Sequence, residues 1–118
     1  MFAVEFSPAR RRPAVFSGCD AEPSVVWVRG VHDASTVVAL CMTMARAIAF
    51  DDTDLVIDLS EVTFMDATTV EVMVRAEAFL RDRSRSLTLR SPSTHARRVL
   101  GVGGLAELVD PQPATASR

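Results

Sequence analysis

The sequence predicts an α/β domain, with helices packed on a mixed β-sheet in the order β-β-α-β-α-β-α and a last short strand or turn. Strand-like β-branched runs alternate with segments of helical period, which implies crossover units. The run DLVIDLS at 54–60 is nearly continuous in apolar residues, as in a strand buried on both faces of a partly parallel sheet. A length of 118 residues, 48% of them hydrophobic, suits one core and leaves little room for a second domain.

Residues 1–12 read as a flexible arm. Its A-R-R-R-P run, Ala9 to Pro13, is a solvated charge cluster or a weak phosphate-binding patch. The domain is expected over 13–110. PAVFSGC and SVVWVRG read as a hairpin around Asp20–Pro23, with Trp27 as a core anchor. From Ser35 to Phe50 the period changes. Val37, Leu40, Cys41, Met44 and Ile48 fall on one helix face, and Asp33, Ser35 and Thr36 supply capping oxygens at its start. In the 54–60 strand, Asp58 needs partners or a place near the strand end.

A second amphipathic helix is expected from Thr68 to about Arg83. Val70, Met73, Val74 and Leu80 make one face, and Thr69, Val72, Ala76 and Phe79 run beside it. SLTLR is a further strand. A third helix starts at a Ser93 cap and stops at Gly103 and Gly104. AELVD adds a last strand or turn, and 111–118 is a flexible polar tail.

Composition excludes several functions. The net charge of −2 gives no overall field toward nucleic acid. Every basic residue is Arg, and the missing Lys removes a phosphate-binding P-loop. Cys19 and Cys41 belong to no metal or disulfide pattern, so no cofactor or metal is expected. No apolar run reaches the roughly 18 residues of a membrane helix. The N-terminus makes a poor signal peptide, so a cytoplasmic location is expected. Glycines do not frame a nucleophile elbow at M-D-A-T-T, and GVGG closes a helix rather than opening one. His32 and His95 are read as structural or surface groups, and the chain as no enzyme.

The turn FMDATTVEVM, 64–73, remains. Thr68 to Glu71 fits a capping box, with Thr68 as cap and Glu71 reaching back. That leaves Asp66 and the second stripe unexplained.

Taken together, DLVIDLSEVTFMDATTVEVM, PSTHARRVLGVGGLAEL and Gly30-Val31-His32-Asp33 resemble the STAS domain family, in particular anti-sigma factor antagonists. The likeness runs from about Pro13 to Val109. It implies a single STAS-like domain that docks on an anti-sigma factor of serine-kinase fold and thereby controls sigma factor availability. In that family a kinase phosphorylates the serine after the turn aspartate, and the complex breaks. Here that position is Ala67, so the usual off-switch is missing, unless Thr68 or Thr69 has taken over as phosphate acceptor. The expected partner surface is Asp33, Asp66, Ala67, Thr68, Thr69, Val72, Ala76 and Phe79. The second stripe also suits a homodimer. The resemblance leaves open an accessory subunit of an ABC-type lipid transporter or a member of a multi-STAS signalling assembly.

Overall fold

The computed structural model describes residues 1–8, 23–50 and 52–110. Its elements are β1 (Phe2–Ser7), β2 (Ser24–His32), α1 (Val37–Phe50), β3 (Leu55–Met65), α2 (Ala67–Arg81), β4 (Leu87–Arg90) and α3 (Thr94–Val102). Short 3-10 turns occupy Ala34–Thr36 and Ala106–Leu108. The sheet order is β1-β2-β3-β4. β1 pairs antiparallel with β2, while β2–β3 and β3–β4 are parallel. The mixed α/β architecture is therefore as the alternation of periods predicts.

The first strand is not where it was expected. Residues 2–7, read as part of a flexible arm, form the edge strand, with Phe2, Val4 and Phe6 alternating against Ala3, Glu5 and Ser7. Strict alternation is the signature of a half-buried strand. The neighbouring arginine run masked it. The expected strand at 13–19 and the tail at 111–118 lie outside the described residues.

One sheet face carries the core. Val26, Val28, Leu55, Ile57, Leu59, Leu87 and Leu89 pack with Leu40 and Met44 of α1, Met73 and Leu80 of α2, and Leu100 of α3. β3 is longer than the apolar run predicts, because it continues through Ser60–Met65 beyond the end of β4. There α3 takes the place of a fourth strand beside it, and the Ser93 amide donates to the Leu59 carbonyl at 3.2 Å.

The other face is polar. Glu5, Trp27, Asp58 and Arg90 form one cross-strand row. Arg90 Nε donates to Asp58 Oδ2 at 2.9 Å, and its guanidinium lies 5.0 Å from the Trp27 ring centroid. Arg29 approaches the same ring at 5.5 Å and pairs with Glu5 and Glu61 at 3.1 and 3.2 Å. Trp27 is thus a half-buried platform for two guanidiniums rather than a core anchor. Burial alone would raise the Asp58 carboxyl. The Ser60 hydroxyl and amide, with Arg90, outweigh that and hold it below the ordinary value.

Gly30 sits at a register shift between β2 and β3 with φ of +82°. A Cβ there would press on the Met1 carbonyl oxygen, so the close approach of β1 needs glycine. His32 is fully buried at the end of β2. Its Nε2 donates to the Arg29 carbonyl at 2.9 Å, and the Phe2 ring stands edge-on at 5.5 Å. Burial lowers its pKa, against the pull of the Arg29 and Ala3 carbonyls. The structural duty expected of His32 is what the geometry shows.

Acid unfolding should therefore run in two steps. His32 has a folded pKa below its unfolded one, so its contribution is complete above the ordinary imidazole value and is lost as pH falls toward the folded value. Asp58, Asp66 and Asp33 are all held low, so their contributions persist above the ordinary carboxylate value and are lost as pH falls through the folded ones. Denaturant midpoints measured against pH should show both steps, and His32→Gln should remove the first alone.

Candidate functional site

The register pairs His32 with Met65 at the ends of the adjacent parallel strands β2 and β3. The next residue in each chain segment is an aspartate, Asp33 or Asp66, and each begins a helical segment. Both carboxylates thus stand at the carboxyl end of the sheet, where open α/β folds place their working surfaces.

Asp66 is the N-cap of α2. Its Oδ1 accepts from the Thr68 amide at 3.1 Å, the Thr69 amide at 3.3 Å and the Thr68 hydroxyl at 2.6 Å. The Thr68 hydroxyl is the largest influence holding this carboxyl below its ordinary value, and the two amides add to it. Asp33 repeats the device. It accepts from the Ser35 hydroxyl at 2.6 Å and its amide at 2.9 Å, and its own amide donates to Thr36 Oγ1 at 3.2 Å. The expected capping box from Thr68 to Glu71 is therefore corrected: the cap lies two residues earlier. A carboxylate accepts several donors at once and so takes the role before a hydroxyl does.

The predicted partner residues separate by depth. Ala67 and Thr68 are exposed, and Asp66 and Val72 are half-buried beside them. Thr69 is 0% exposed and its hydroxyl donates to the His32 carbonyl at 3.2 Å, so it ties α2 to β2 and presents no hydroxyl outward. Ala76 is also buried. Phe79 is exposed but sits twelve residues beyond Ala67, roughly 18 Å along the helix at 1.5 Å per residue, with the Arg83 guanidinium 3.5 Å from its ring centroid. The second stripe is thus not one continuous surface. It drifts into the interior because helical period carries Thr69 and Ala76 onto the face shared with Met73 and Leu80.

Two apolar grooves flank the exposed turn. One, about 460 Å³, runs between α1 and α2 and is lined by Val37, Cys41, Ala45, Thr68, Val72 and Arg75 among others. Cys41 is exposed there rather than on the buried helix face expected for it. The other, about 370 Å³, lies between α2 and α3 and is lined by Ala67, Thr68, Val74, Val99 and Val102 among others. Thr68 belongs to both.

The sequence pattern leaves Phe64 unremarked and gives His95 a structural or surface role. Their rings stack at 5.1 Å beside the turn, and His95 Nε2 lies 3.3 Å from the Met65 carbonyl. Phe64 is 42% exposed and pairs across strands with exposed Val31. Ending the strand at residue 60 hid this pair, although the alternation through Val62 and Phe64 continues the strand pattern.

Among the described residues, no cluster of His, Cys, Asp or Glu is arranged to hold a metal, and no helix is long and apolar enough to cross a membrane.

Comparison with curated proteins returns no matching sequence. Among solved structures, the chain is similar to the anti-sigma factor antagonist SpoIIAA in its unphosphorylated form. That match has a TM-score of 0.63 and 18% identity, and covers 93% of this chain and 86% of that one. SpoIIAA in the phosphorylated form, described as a Bacillus cell fate determinant, matches with a TM-score of 0.62 and 20% identity, covering 93% and 89%. A murine anion transporter, solute carrier 26 family member A9, contains the same fold. Its TM-score is 0.62 and its identity 13%, over 91% of this chain and 20% of the transporter. At such identities these likenesses establish the fold. The family model described as "Mlab, STAS domain" matches residues 17–110, most of the sequence, and the chain belongs to that STAS family.

Proposed function

We propose that this chain is a docking protein of the anti-sigma factor antagonist type. It binds an anti-sigma factor of serine-kinase fold in the cytoplasm and so governs the release of a sigma factor. It acts by contact and carries out no catalysis. The observation that supports this most is the exposed Ala67–Thr68 step, held rigid by the Asp66 cap between two apolar grooves. Capped and flanked by apolar recesses, it suits another polypeptide better than a small substrate. Glu71 and Arg75 on the rim of the α1–α2 groove supply charge for partner choice.

The regulatory reading follows from the same step. A phosphate on a fitted interface adds about −1.5 to −2 charge and disrupts by repulsion and bulk. Ala67 has no hydroxyl, and Thr69 is buried. Thr68 is the exposed hydroxyl, engaged with Asp66. The chain is therefore read as an antagonist without the standard serine switch.

A second reading, an accessory subunit of an ABC-type lipid transporter, draws on the occurrence of this fold within a transporter polypeptide. Its docking surface would be the same, and the partner would be an ATPase.

Calorimetric titration with purified anti-sigma kinases and transporter ATPases distinguishes the two. A kinase-fold partner should bind, and Val72→Arg should weaken it about tenfold or more, as burial of a charge at an interface centre does. Binding to an ATPase alone would favour the second reading. Ala67→Ser should restore an acceptor: with the bound kinase and ATP, phosphate should appear on the introduced serine and the complex should dissociate, while the unaltered chain stays unmodified and bound.

A further inference from the structure

We propose that two copies of this chain associate through the free edge of β1, pairing antiparallel about a two-fold axis at Val4 to make one continuous sheet. This contact is separate from the docking turn on α2 and does not depend on the proposal above.

β1 is the terminal strand of the sheet, and among the described residues nothing pairs with its outer edge. The Val31 amide donates to the Met1 carbonyl at 3.0 Å. Antiparallel pairing alternates, so residues 1, 3, 5 and 7 direct their backbone groups to β2. The N–H and C=O of Phe2, Val4 and Phe6 then point outward. An open row of this kind is a template for a further strand, and natural edges are usually blunted by Lys, Pro or bulges. β1 has none within Phe2–Ser7. Its one charge, Glu5, is already engaged by Arg29 at 3.1 Å.

The strand is complementary to itself in one register. With Val4 opposite Val4 of the second copy, Phe2 meets Phe6, and every outward N–H and C=O of Phe2, Val4 and Phe6 finds a partner. Glu5 then faces Ala3. Shifting the axis to Glu5 would set the two carboxylates opposite each other and place Phe2 against Pro8, which has no N–H to give.

The helix layer agrees. Val37, Cys41, Ala45 and Ile48 line the groove toward α2, so the opposite flank of α1 carries Ala39, Met42, Arg46 and Phe50. Phe50 touches Phe6 at 5.6 Å between ring centroids, which sets this flank over β1. Met42 and Phe50 are 59% and 56% exposed. Edge pairing brings this flank beside its copy and covers both side chains, as an isologous contact requires.

Sedimentation velocity over a concentration series tests this on the full chain. The unaltered protein should dimerise. Ala3→Glu faces Arg29 within one copy, so it leaves the fold intact by circular dichroism. In the dimer it opposes Glu5 twice and should raise the dissociation constant about tenfold. Adding Glu5→Arg should restore the dimer. A chain that stays monomeric throughout, or a dimer indifferent to Ala3→Glu, overturns the proposal.

Discussion

The carbonyl of His32 holds the site together. It accepts the Asp66 amide at 3.2 Å and the Thr69 hydroxyl at 3.2 Å, so the end of β2 fixes both the last link of β3 and the first turn of α2. Burial of His32 keeps that carbonyl in place, and Gly30 lets β1 close over the same strand. With the helix entry fixed, the Asp66 carboxylate falls where the free amides of α2 need an acceptor. The exposed residues Ala67 and Thr68 are then presented by a rigid frame.

This arrangement decides what the surface can do. A helix N-terminus with open amides is an anion site, but here Asp66 and Asp33 have taken those amides in the first turns of two neighbouring segments. What remains outward is the small side chain of Ala67 and the Thr68 side chain, whose hydroxyl is engaged by Asp66, with apolar grooves on both sides. Contact with another protein uses such a surface directly. The chain shares the SpoIIAA fold and belongs to the STAS family.

Much of the fold was legible because the periods were clear. The DLVIDLS run reads as a central parallel strand, and the spacing of Leu40 and Met44 reads as a core-facing helix. The Ser93 cap and the stop at Gly103 and Gly104 came from residue type alone. β1 was lost because a short alternating strand beside an arginine run carries little local signal, and its pairing with β2 is long-range. At the site, the turn itself was legible, but its cap was assigned to Thr68 because a capping box is a local motif. Asp66 wins only once the strand end orients it. The depth of Thr69 and Ala76 was not legible, since which helix stripe faces the core depends on packing against β3, α1 and α3.

The claim on which all this rests is that Asp66 itself satisfies the start of α2. An NMR pH titration that follows the Asp66 carboxyl carbon and the Thr68 and Thr69 amides measures it directly. One shared midpoint below that of an ordinary aspartate is expected, with both amides moving as the carboxylate is protonated. A midpoint at or above the ordinary value, or amides that do not respond, would contradict it.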